Sequence, residues 1–173
     1  MEDLQALKRT RGGRERLLTV AAEMFRSKTL AGTSLQMIAD RLSVSKAAIY
    51  HHFRSRDEIV AALMAPVFTD AEAGIAQLRA LAPDERPAAA RAFYTGFVVR
   101  HRAVITMVFF DRGAFDPDTA ARVDRLADDM ADTLGDQPTG QVRVYGIAAL
   151  ITRHQDLTDE ALTALVQVVQ EKL

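Results

Sequence analysis

The chain has 173 residues, 49% hydrophobic and 26% charged, with a formal net charge of −1. That is enough apolar material for a substantial core, in one medium domain or two small ones sharing it. The absence of cysteine excludes disulfides, thiolate metal sites and cysteine nucleophiles. The first residues lack the apolar run of a signal peptide, and no segment approaches the roughly 20 apolar residues of a membrane helix. The expectation is a cytoplasmic protein with no membrane partner. The net charge hides an asymmetry, +4 over residues 1–58 and −5 over residues 59–173. A basic front suits a polyanion, although four excess charges also fit ordinary scatter.

No stretch alternates with period two, so the reading is helical throughout. A basic arm, with Lys8, Arg9 and Arg11, precedes a first helix over about 10–28. Leu17, Leu18, Ala21, Ala22 and Phe25 form its apolar face. Thr33 and Gln36 have the spacing of a capping box and open a short helix carrying Leu35, Ile38, Ala39 and Leu42. Ser45 caps a second short helix, with Val44 and Ile49 spaced as a hydrophobic staple. Ser55 and Glu58 form another box and open a longer helix, which Pro66 is expected to kink or interrupt.

Further helices are expected over about 85–101 and 103–111. Asp116 as cap, with Pro117 at the first helical position, starts another. It ends at Leu134, with Gly135 as a glycine stop. The last two cover about 139–153 and 159–172, the second capped by Thr158.

Residues 33–53 have the length and punctuation of a helix-turn-helix, because Leu42, Ser43 and Val44 leave room only for a sharp turn. With Ser45 as cap, Ile49 and Phe53 point to the core, and Ala47, Ala48, Tyr50 and His51 point outward. Small and aromatic groups on that face suit a DNA major groove, and Lys46 suits a phosphate. His51 and His52 are helix neighbours about 100° apart, a poor metal pair.

The run from Thr33 to Glu58, with Ala21-Ala22-Glu23-Met24-Phe25 before it, resembles the DNA-binding domain of the TetR family of bacterial transcriptional regulators. The match of pattern covers about residues 14–63. It implies phosphate contacts from Thr33, Ser34 and Arg56, and a recognition surface of Ser45, Lys46, Ala47, Ala48, Tyr50 and His51. Two departures stand out. Ser43 occupies a turn position where relatives usually have glycine, and Ala48 stands where many have a hydroxyl.

The resemblance also implies an all-α fold in two parts: a three-helix DNA-binding domain over 1–58 and a ligand-sensing and dimerisation domain over 59–173. Beyond residue 63 it is one of architecture only. By that analogy Met64, Phe68, Phe93, Phe97, His101, Met107, Phe110 and Tyr145 are candidate pocket residues. Val142, Tyr145, Ala149, Leu162, Leu165, Val166 and Val169 are candidate dimer contacts. Plain core is the alternative for each. The expected partners are double-stranded DNA with a palindromic operator, a second copy of the chain, and a small apolar or amphipathic ligand. No cofactor or metal is expected.

The functional expectation is a repressor released from its operator by that ligand. One competing reading is a DNA-binding adaptor that uses its rear surface for a protein partner. Another is a small helical enzyme, against which stands the lack of a glycine-rich phosphate loop, an HExxH motif or a recognisable Ser/His/Asp set.

Overall fold

The computed structural model describes residues 12–136 and 138–173, without the side chain of Phe110. The basic arm at residues 8–11 lies outside these. Among the described residues there are nine α-helices and no strand. They are α1 Gly12–Lys28, α2 Leu35–Leu42, α3 Lys46–Tyr50, α4 Arg56–Ala80, α5 Arg86–Arg100, α6 Arg102–Asp111, α7 Pro117–Leu134, α8 Thr139–Arg153 and α9 Asp159–Lys172. A 3₁₀ turn, Arg112–Ala114, follows α6.

Most helix starts follow the expected chemistry. The side chains of Ser45, Ser55, Asp116 and Thr158 accept the amides of Ala48, Glu58, Thr119 and Ala161, satisfying donors that the helix itself cannot pair. The start of α2 differs from expectation. Ser34 is its cap, accepting the Met37 amide at 3.2 Å. Thr33 is buried, and its hydroxyl is 2.8 Å from the Thr29 carbonyl it donates to. Gln36 does not reach back; it donates to the Asp40 carboxylate at 2.7 Å.

Two further expectations change. The helix containing Pro66 is not interrupted: α4 runs 25 residues. It is long and apolar enough to cross a membrane by length and composition, contrary to the sequence reading, but here it serves two cores. Gly135 ends α7 with extended rather than left-handed backbone.

The front core gathers Leu17, Phe25, Leu30, Ile38, Ile49, Phe53 and Ile59 with Met64, Phe68 and Met107. The rear core gathers Ile75 and Leu78 with Tyr94, Val98, Leu134, Ile147, Ile151, Leu162 and Val166. Helix α4 contributes to both. The boundary expected between residues 58 and 59 therefore falls in the first turns of a shared helix. Helix α6 packs on α1, α4, α5 and α8, so it touches both halves.

Two glycines permit close packing in the rear. A Cβ at Gly74 would meet the Phe93 ring, so α5 seats an aromatic directly on α4. A Cβ at Gly140 would collide with the Ala131 backbone, where α8 crosses α7.

Candidate nucleic-acid interface and apolar cavity

The turn between α2 and α3 determines how α3 is presented. Ser43 has φ 56° and ψ 42°, the left-handed conformation. The Val44 amide donates to the Ala39 carbonyl at 3.0 Å, and the Ser43 amide to the Asp40 carbonyl at 3.0 Å. This is a Schellman closure with serine in the usual glycine place. The turn keeps its shape, and serine bears the steric cost of its Cβ.

Helix α3 has five residues. Ile49 is fully buried beneath it, and Phe53 follows it into the same core. Ser45, Lys46, Ala47, Tyr50 and His51 are exposed, as is Ser34 at the start of α2. The Lys46 ammonium lies 5.6 Å from the centre of the Tyr50 ring one turn on, so both project from one side. Arg14 of α1 lies over Phe53 at 4.8 Å and braces the end of the motif.

Three expected contact residues are placed otherwise. Thr33 is buried and its hydroxyl is used inside the protein. Ala48 is 1% exposed, because the arc of α3 that meets the core spans both Ala48 and Ile49. Arg56 is half-buried, donates to the Leu30 carbonyl at 2.9 Å and has its Nε 3.8 Å from the Asp57 carboxylate, so part of its guanidinium is used within the chain.

His52 is half-buried, and its Nε2 is buried without a hydrogen-bond partner among the described residues. Burial, then the neighbouring His51 and Arg14, pull its pKa below the ordinary 6.5. A neutral ring is the form that tolerates this site.

The loop ahead of α2 is clamped on both sides. The Asp111 carboxylate, at the end of α6, accepts the Leu30 amide at 2.6 Å. Arg56 holds the carbonyl of the same residue. Thr29 beside it has φ 66°, a rare conformation for a β-branched residue. Sequence reading missed this clamp, since Leu30 and Asp111 lie 81 residues apart.

Behind the head lies a cavity of about 240 Å³ between α4, α5, α6, α7 and α8. Of the expected pocket residues, Met64, Phe68, Phe97 and Tyr145 line it. Phe93 does not, because its ring fills the space over Gly74. Met107 does not, because it is buried in the front core. Nor does His101, whose Nε2 is 2.9 Å from the Asp70 carboxylate while its ring leans on Phe97. The Phe110 side chain lies outside the described residues.

The walls are apolar, and two of their polar groups, Tyr94 and Arg112, are engaged within the chain. The Tyr94 hydroxyl donates to the Val144 carbonyl at 2.8 Å. Burial and the nearby Tyr145 push its pKa far above the ordinary phenol range, so it remains a donor. Arg112 reaches the wall but is ion-paired with Asp124. Sequence reading did not single out Arg112 or the exposed Phe109, which also lines the cavity.

Among the expected dimer contacts, Leu162 and Val166 are fully buried within this chain, because α9 packs them into the rear core. Val169 packs partly against the same core. Val142 and Tyr145 are exposed, and Ala149 and Leu165 half-buried.

The profile of the family described as bacterial regulatory proteins, tetR family, matches residues 17–63. These residues run from the middle of α1 through the helix-turn-helix into α4. Over these residues, the chain is similar to the DNA-binding part of the TetR family. Among curated relatives, the transcriptional repressor KstR2 of Mycolicibacterium smegmatis is 38% identical over 47 residues, 27% of this chain and 23% of KstR2. The transcriptional activator FasR of the same organism is 28% identical over 126 residues, 71% of this chain and 57% of FasR. The chain thus spans less than two thirds of either.

Two solved structures share the fold across nearly the whole chain. The TetR-family regulator PfmR from Thermus thermophilus superposes with a TM-score of 0.64 at 21% identity, covering 91% of this chain and 95% of PfmR. AibR, solved with isovaleryl coenzyme A and operator DNA, superposes with a TM-score of 0.63 at 21% identity, covering 90% and 96%.

Proposed function

We propose that this chain is a cytoplasmic transcriptional repressor of the TetR type that binds a palindromic operator as a homodimer and is released by a small apolar ligand. The exposed face of α3 carries this reading. Ala47, Tyr50 and His51 meet base edges, while Lys46 and the serine hydroxyls at Ser34 and Ser45 meet phosphates. A five-residue recognition helix reads few base pairs. A second head one helical turn away, roughly 34 Å, supplies the rest of the site.

The cavity takes the ligand. Its walls favour an uncharged, largely apolar body, since Arg112 already pairs with Asp124 and Tyr94 is hydrogen-bonded, with the Tyr145 hydroxyl as the one polar handle at its edge. A cavity of about 150 Å³ holds benzene, so 240 Å³ suits about ten heavy atoms. Helix α6 lines the cavity with Ile105, Val108 and Phe109 and ends at Asp111 on the Leu30 amide. A ligand that displaces α6 therefore moves Leu30 and the start of α2. KstR2 is named a repressor and AibR was solved with both a small molecule and operator DNA, which supports this reading by analogy.

The test is a nuclease footprint over the DNA flanking the chain's own gene, paired with a transcription assay from that promoter. A protected palindrome at physiological salt with lowered transcription is expected. Higher transcription on protection would make the protein an activator. A salt-sensitive smear with no preferred site would support the adaptor reading instead.

A further inference from the structure

Apart from the shared α4, the head meets the rear chiefly where α1 packs on α6. Beside that contact lies a groove of about 440 Å³. It shares no lining residue with the ligand cavity. Its floor is apolar: Leu18 and Ala22 of α1, Leu63 of α4 and Ala103 of α6. Leu18 and Leu63 are half-buried on the outside of the front core, so they face both that core and the groove.

The rim is polar. Gln155, in the turn between α8 and α9, is pinned from the rear. Its Nε2 donates to the Thr106 hydroxyl at 2.5 Å and to the Ile151 carbonyl at 3.0 Å. Its Oε1 accepts from Arg26 Nη1 of α1 at 3.4 Å, the far edge of hydrogen-bond distance. This weak bond joins head to rear across the groove, between residues 129 apart in sequence. Among the described residues Arg26 forms no ion pair. Arg102, on the opposite rim, spends Nη1 on the Leu157 carbonyl at 2.8 Å and the Asp159 carboxylate at 3.1 Å.

The groove therefore combines what the cavity keeps apart. The cavity is apolar, with its one arginine paired to Asp124. The groove sets an exposed guanidinium with one long hydrogen bond beside an apolar floor. A carboxylate fits the planar fork of arginine, and a charge-assisted bond is shorter and stronger than the bond to Gln155. An apolar body on the same ligand covers the floor. Glu23 stands on the rim as well, so a second negative charge is repelled.

We propose that this groove binds a small monocarboxylate with an apolar aryl or alkyl body. Its carboxylate sits on Arg26, facing Arg102, and its body covers Leu18, Ala22, Leu63 and Ala103. Such a ligand touches α1 and α6 at once and bridges the two halves directly. A ligand in the cavity reaches the head only through α6.

The experiment uses the full chain without DNA and sodium benzoate as the probe, titrated by calorimetry. Benzyl alcohol is its neutral analogue, and naphthalene, a neutral ten-carbon molecule, occupies the cavity. Arg26→Gln and Ala103→Glu change exposed positions and keep the fold, checked by circular dichroism. Wild type is expected to bind benzoate equally with and without saturating naphthalene, and to bind benzyl alcohol about tenfold more weakly. Each variant should bind benzoate about tenfold more weakly than wild type, with naphthalene affinity unchanged. No benzoate binding, displacement of naphthalene by benzoate, equal affinity for benzyl alcohol, or wild-type benzoate affinity in Arg26→Gln would each overturn the proposal. A protein that ignores naphthalene would sink the cavity reading alone, and the benzoate titrations would still decide this inference.

Discussion

The head and the rear of this chain bury similar residue types, yet they use them differently. In the head, every large apolar side chain of α3 and its flanks but Tyr50 goes inward, leaving a small polar and aromatic face outside. In the rear, apolar groups surround a cavity and also reach the surface on α8 and α9. The head is arranged to hold one shape and the rear is arranged to leave space. The proposed response to ligand accordingly runs through α6, which packs on both halves.

The largest expected effect separates the two surfaces. Ile49→Ala removes a fully buried anchor beneath α3 and should cost about 3 kcal/mol of unfolding free energy. Val142→Ala, on the exposed face of α8, should stay within about 0.5 kcal/mol for the monomer. Denaturant titration of both variants measures the contrast, and equal losses would erase it.

Next comes the joint. Asp111→Ala leaves the buried Leu30 without its amide's partner and should cost about 2 kcal/mol. It should also weaken ligand-induced release from DNA while leaving unchanged the cavity's affinity for a neutral ten-carbon probe such as naphthalene. If release by ligand is untouched, α6 is not the route between cavity and head.

Ser43→Gly should act in the opposite direction. Glycine relieves the left-handed strain at φ 56°, and a gain of about 0.5–1 kcal/mol is expected in the same titration. No gain would mean that the turn has already absorbed the strain.

The smallest effect is a pH dependence confined to the head. The folded pKa of His52 is depressed, so its stabilising contribution is complete above about 6.5 and is lost as pH falls through the folded value. Between pH 7.5 and 5.5, wild type should lose more stability than His52→Gln. Identical pH profiles would show that burial of His52 does not matter.

How much of this was legible depended on distance along the chain. The caps at Ser45, Ser55, Asp116 and Thr158 were readable because donor and acceptor lie three residues apart. The left-handed demand at Ser43 was readable only through the resemblance, since relatives usually carry glycine at that turn position. Thr33 and Ser34 both offer a hydroxyl, and the choice between them depends on the Thr29 carbonyl, which only folding brings near. Ala48 read as outward because alanine carries no strong burial signal, and the core-facing arc of a one-turn helix is wider than one residue.

In the rear, an apolar residue has the same pattern whether it fills a core or lines a gap. Phe93 fills the space over Gly74 while Phe97, one turn on, faces the cavity. Leu162 and Val166 share a helix with the exposed Val168, and only packing assigns them inward. The clamp on Leu30 joins three segments distant in sequence, so no local motif announces it.

The central claim is that the outward face of α3 reads DNA, with Lys46 on a phosphate. The most direct measurement is operator affinity for wild type and Lys46→Ala across salt from about 50 to 200 mM. Losing one phosphate contact per head should flatten the slope of log affinity against log salt by about one unit for each head engaged, about two for a dimer. Binding should weaken on specific and non-specific DNA alike. An unchanged slope, with the variant folded, would contradict the placement of α3 on DNA.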